Sequence, residues 1–222
     1  MSDLYHAPIV YLRTHTWPSG LSDEDAFEKI SERAKQNDPL FMVLLSMYLS
    51  AGKGCDENMD QAQAWLYKGL AYEKADAHCL AGMAYLYGYY GSKNTNEALK
   101  AFDSAEKICQ KKGLYCKGYL YLNKYLADRS DKESFRKAGF FLRKSAMRGH
   151  ATSLVMYIYC ASDNVFIRYT KLISALLAYT IRRSSHSGPQ RWWCYRDLNR
   201  LRPASVKFAE KTGNSLGYFS KK

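Results

Sequence analysis

Few side chains in this chain stand in a spacing that would support chemistry. Asp56-Glu57-Asn58-Met59-Asp60 alternates oxygen-bearing residues as a calcium loop does. Its sixth position, however, is Gln61 where the sharp turn needs glycine, and its twelfth is Tyr67 where a bidentate glutamate belongs. The segment fits a connector and helix cap instead. His6, His15, His78, His150 and His186 are scattered, and the six cysteines (Cys55, Cys79, Cys109, Cys116, Cys160, Cys194) contain neither a C-x-x-C pair nor a zinc-type spacing with histidine. Most of the cysteines read as reduced, small core fillers. No nucleophile elbow, phosphate-cradling glycine loop or zinc-protease helix is present in the sequence. A hydrolase would need His150 or His78 joined in space to a carboxylate. The expectation is a chain without catalytic, cofactor-binding or metal-binding residues.

Binding chemistry is better represented. Gln190-Arg191-Trp192-Trp193-Cys194-Tyr195-Arg196, followed by Arg200 and Arg202, interleaves arginine with aromatic rings. Protein hot spots use that combination, and so do surfaces that stack nucleic-acid bases. Helical spacing also allows Trp192, Tyr195 and Leu198 to seal the end of a core. Charge is concentrated in the same region. Residues 168–222 hold twelve lysines and arginines against Asp197 and Glu210, a balance of +10, whereas residues 1–167 hold twenty-one against nineteen. Such asymmetry points to an acidic partner, and a protein face, a nucleic acid and an anionic membrane surface all answer that description.

The elements that position these residues follow from a repeat. A small polar residue is followed four positions later by alanine at Ser22/Ala26, Asn58/Ala62, Asn94/Ala98 and Ser134/Ala138, with steps of 36, 36 and 40 residues. A period in this range marks stacked helical hairpins, each with an apolar face that only its neighbour covers. Asn94-Thr-Asn-Glu97 and Asn58-Met-Asp-Gln61 predict reciprocal capping boxes. Ser22 predicts a cap with three acids in the first helical turn, and Ser134 a weaker cap because Lys137 stands at the third position. Ala62, Trp65, Leu66, Gly69 and Leu70 lie on one stripe of a helix over about 59–73, and Ala138, Phe141, Leu142, Ser145 and Ala146 repeat it 76 residues later. Asn37 and Gly149 suit the left-handed turn after the first helix of a hairpin; Glu73 and Cys109, at the same place, predict different turns. Second helices are expected at about 39–51, 76–88, 114–127 and 151–162. Gly82 and Gly118 match within them, as do Tyr85 and Tyr121, and a glycine there predicts close helix approach.

Ala62, Trp65, Lys68, Ala75, Ala77, Gly82, Tyr85 and Gly88, with Lys144, Ala146, Gly149, His150 and Ala151, resemble the pattern of the Sel-one-like repeat, a relative of the tetratricopeptide repeat. Gly52, Gly54 and Ala62 fit the connecting segment of that pattern. The resemblance covers about residues 22–162. It implies an all-α protein, an α/α solenoid (superhelix) of about four to five helix-turn-helix repeats with irregular terminal caps. Residues 1–21 would form an extended N-terminal cap, 22–162 the array of four repeats, and 163–222 a basic helical cap or degenerate fifth repeat with helices near 165–183, 190–201 and 203–211.

In such solenoids the first helices line the concave side. This places Tyr67 and Lys68, Asp103 and Lys107, and Arg143 and Lys144 at the groove, and Arg191, Trp192 and Arg196 form the other candidate surface. The resemblance implies a non-catalytic module that binds another protein, monomeric or weakly self-associating, and the basic balance of residues 168–222 gives that partner an acidic surface. Its most concrete form is a bacterial immunity protein that neutralises a cognate toxin; the alternatives are an adaptor or signalling scaffold and nucleic-acid binding through the basic region. Residues 1–20 lack an apolar stretch of the length a secretion signal needs, and Val165 to Ile181 is broken by Arg168 and Lys171. A soluble, cytoplasmic protein with no membrane span is expected.

Overall fold

The computed structural model describes residues 22–160, in which every regular element is an α-helix. They are α1 (Asp23–Lys35), α2 (Pro39–Ala51), α3 (Met59–Leu70), α4 (Ala75–Tyr87), α5 (Thr95–Ile108), α6 (Gln110–Ala127), α7 (Lys132–Met147) and α8 (Ala151–Cys160). The all-α class and the helix-turn-helix repeat are therefore present. The expected terminal caps, 1–21 and 163–222, lie outside the described residues. The chain divides into two compact units, Met1–Cys116 and Lys117–Lys222, with α6 running through the boundary.

In the first unit α2 packs against α1, α3 and α4, and α4 in turn packs against α3 and α5. All residues from Phe41 to Ser50 of α2 are buried, as expected for a helix that is apolar on every side. The first helices of the hairpins bury only a stripe: Ala26, Ile30 and Ala34 on α1, Ala62, Leu66 and Gly69 on α3, and Ala98, Ala101, Phe102 and Ala105 on α5. In the second unit α7 buries Ala138, Leu142 and Ser145, the same three stripe positions as α3, and packs against α8.

The helix starts are held at two points. Asn58 Oδ1 accepts the Gln61 N–H at 2.9 Å, Asn94 Oδ1 accepts the Glu97 N–H at 3.1 Å, and Ser22 Oγ accepts the Asp25 N–H at 3.1 Å. The reciprocal half of the expected capping box is replaced. The Asn58 N–H donates to Leu49 O at 2.8 Å and the Asn94 N–H to Tyr85 O at 2.9 Å, so each cap is tied to the last turn of the preceding second helix. Gly52 and Gly88, 36 residues apart, end those helices at φ 60° and 81°, a conformation that costs glycine little. Ser46 Oγ meets the Tyr90 hydroxyl at 2.6 Å and Ser50 Oγ donates to Tyr89 O at 2.7 Å, which ties α2 to the segment after α4.

Ser134 is not a cap. Asp131 is, its Oδ1 accepting the Ser134 N–H at 2.8 Å, and Ser134 lies buried inside α7. Because α7 starts three residues before the expected point, the cap-to-cap step returns to 37 residues and the extra length becomes one more helical turn. A shift of three residues keeps Ala138 on the same stripe, since a turn takes 3.6 residues. Hydrogen bonds from Ser134 hold the Asp131 carboxyl below its usual range. Asn37 and Gly149 adopt the left-handed conformation as expected, at φ 63° and 83°. Glu73 does so too, at φ 50°, contrary to expectation, while Cys109 is extended and differs as expected. Helix α3 ends at Leu70, three residues short of the expected limit, and α6 begins four residues earlier than its pattern predicted.

The paired glycines perform the expected task. A Cβ at Gly82 would lie 2.3 Å from a ring carbon of the fully buried Phe102, and one at Gly118 would lie 2.7 Å from Leu142 Cγ. Gly82→Ala gains helix propensity but overfills this contact, so we expect a net loss of about 1–3 kcal/mol, read as a lower urea midpoint at unchanged slope. Asn94→Ala removes only the cap and should cost about 1 kcal/mol in the same assay.

Candidate interaction surface

On the first unit, the stripe of α3 faces the core and leaves the next residues outward. Tyr67 is 67% exposed, and the exposed Lys68 places Nζ 4.9 Å from the Trp65 ring centroid. Lys107, in the last turn of α5, is exposed, as is Asp103. Tyr67 and Glu97 lie near Tyr85, whose phenol is raised first by burial and then by those two neighbours.

On the second unit, Arg143 and Lys144 are exposed on α7. Lys144 Nζ stands 4.3 Å over the Phe140 ring. Phe140 is 51% and Met147 65% exposed, and with Lys144 they occupy one face at i, i+4 and i+7. Arg191, Trp192 and Arg196 lie outside the described residues.

Sequence reasoning missed how rings and cations alternate here. Tyr121 of α6 and Phe141 of α7 stack at 5.6 Å with an interplanar angle of 6°, and Tyr125 and Phe135 meet at 4.6 Å. Lys117 lies 5.7 Å from the Phe141 ring; Lys124 and Lys137 lie 5.7 and 5.4 Å from Tyr121; Arg129 and Lys132 lie 5.2 and 5.9 Å from Tyr125. Lys137 is also paired with Glu133 at 2.6 Å, and that carboxyl is held below its usual range by the contact. The missed signal was charge. Residues 117–160 hold nine basic residues against Asp128, Asp131 and Glu133, whereas residues 22–116 hold eleven against fourteen acids. The near-neutral sum over residues 1–167 averaged a negative stretch with a positive one.

The two described histidines, His78 and His150, sit in structural settings. His150 Nδ1 accepts the Ser153 N–H at 3.2 Å and lies 2.9 Å from Ser153 Oγ, which donates to Ser145 Oγ at 2.8 Å. Both serines are fully buried, so this contact caps α8 rather than presenting a nucleophile. Burial lowers the His78 pKa, partly offset by Glu73. Of the described cysteines Cys116 is buried and four are intermediate, so the core-filler expectation holds in full for Cys116 and in part for Cys55, which packs against the core of the first unit; none of these five is in a disulfide. Among the described residues no group of three or more His, Cys, Asp or Glu could hold a metal ion, and no helix is long and apolar enough to cross a membrane.

No protein-family model matches this sequence, and no curated protein matches it. Solved structures do. A Sel1 repeat protein from Oxalobacter formigenes aligns over 80% of this chain and 49% of its own, at 18% identity and a TM-score of 0.45. A protective antigen of uropathogenic Escherichia coli displaying an SLR fold aligns over 81% of this chain and 38% of its own, at 16% identity and a TM-score of 0.46. The chain spans less than half the length of each.

His78 supplies a pH dependence. Its folded pKa lies below the ordinary 6.5, so the unfolded chain binds more protons as pH falls and stability is lost below about pH 6.5. We expect Tm to fall from pH 7 to pH 5.5, and His78→Gln to reduce that slope in thermal melts.

Proposed function

We propose that this chain is a non-catalytic interaction module that binds a partner protein carrying an acidic surface. The observation that supports it is the exposed, cation-rich and aromatic face of residues 117–160, where Arg143, Lys144, Phe140 and Met147 combine positive charge with apolar area. Aromatic and arginine side chains dominate binding energy in protein interfaces, while surplus charge accelerates encounter with an oppositely charged partner. Tyr67, Lys68 and Lys107 on the first unit, and Arg191, Trp192 and Arg196 beyond the described residues, are further contact positions in this proposal. The module acts as a monomer or weak oligomer in the cytoplasm.

Its most concrete form is a bacterial immunity protein whose partner is a cognate toxin; an adaptor or signalling scaffold uses the same surface. A toxin partner would impair growth when expressed alone and cease to do so when this chain is coexpressed. The binding surface has its own test. The double reversal Arg143→Glu with Lys144→Glu should weaken binding of the copurified partner at least about tenfold, by removing two steering charges and replacing them with repulsion. Both side chains are exposed, so far-UV circular dichroism should stay unchanged. Unaltered affinity would remove α7 from the interface.

The rings beside lysines on α6 and α7 favour one second reading, nucleic-acid binding by stacking and phosphate contact. It requires log affinity to fall linearly with log salt concentration. Absence of retention of single-stranded nucleic acid at about 50 mM salt disposes of it.

A further inference from the structure

Cys79 on α4 and Cys116 on α6 are free thiols in contact with one another. One turn earlier on each helix, Lys112 Nζ donates to both oxygens of Asp76 at 2.6 and 2.7 Å. Asp76 precedes Cys79 by three residues and Lys112 precedes Cys116 by four, the spacings that keep side chains on one helix face. Two successive side-chain pairs therefore bridge the same two helices. The pair is asymmetric: Cys116 is 3% exposed, whereas Cys79 is half-buried and within reach of solvent.

We propose that Cys79 and Cys116 are an oxidative modification site, at which a hydroperoxide converts the two thiols into a disulfide that staples α4 to α6. The Cys79 thiolate attacks a peroxide oxygen, the O–O bond breaks and an alcohol or water leaves with a proton; Cys79 is now a sulfenic acid, oxidised by the two electrons the peroxide gained. Cys116 then loses its proton and its sulfur attacks Cys79 Sγ. The S–O bond breaks, the S–S bond forms and the hydroxide departs as water. Hydrogen bonding to Cys79, together with burial, raises the Cys116 thiol well above its ordinary value, so closure accelerates as pH rises. The bond encloses all of α5 in a covalent loop, which restricts the unfolded chain.

The test treats the full chain with hydrogen peroxide, then maps its peptides without reduction. The expected product is a single intrachain bond joining the Cys79 and Cys116 peptides, with Tm raised by about 5–10 °C and returned by dithiothreitol. Cys79→Ser and Cys116→Ser should each abolish the bond, and Cys109→Ser should retain it. The mapping on the unsubstituted protein stands even where a variant folds poorly. Cys79 recovered as sulfinic acid beside unmodified Cys116, or either cysteine joined to a different partner, would overturn the proposal.

Discussion

The ring of Phe102 fills the volume that any side chain at position 82 would need, and Leu142 does the same at position 118. Within each unit this contact sets how near a second helix comes to the first helix of the following hairpin. In the first unit the cap N–H groups of Asn58 and Asn94 reach Leu49 O and Tyr85 O. Both carbonyls lie in the last turn of a helix, and Tyr85 O takes the Asn94 N–H in addition to that of Gly88. One bond thus joins a helix end to a helix start, and because it repeats at 36 residues the hairpins of the first unit share one register.

That geometry decides what is left for recognition. A stripe of three or four small or apolar residues goes inward on each first helix, and the rest of the helix remains in water. On α3 and α5 the outward side carries mixed charge. On α6 and α7 it carries rings and cations with few acids, and lysines lying over aromatic faces keep their charge available while their stems cover apolar area. The interaction proposal draws on this local composition and not on any arrangement between the two units.

Much of the fold was legible because its signals are local. Asn58 and Asn94 cap helices for reasons contained in four consecutive residues, and the 3.6-residue stripe needs only one helix to be seen. The failures were non-local or involved competing local solutions. At Ser134 two caps were available, and Asp131 prevailed because an earlier start adds a full turn without rotating Ala138 off its stripe. Glu73 is forced into a left-handed turn by the hairpin it closes, which residue preference alone would not suggest. The contact between Cys79 and Cys116 joins residues on separate helices with no motif spacing.

Residue order alone therefore determined the helical class, the repeat period, most helix starts and the two glycine positions, because capping, periodicity and small-residue packing act over a few residues of chain. Tertiary structure alone decided which carbonyl each cap N–H would reach, which lysines would lie over which rings, and which two thiols would face each other. Those depend on side chains from separate helices being brought within a few ångströms, and only packing of the buried stripes fixes that distance.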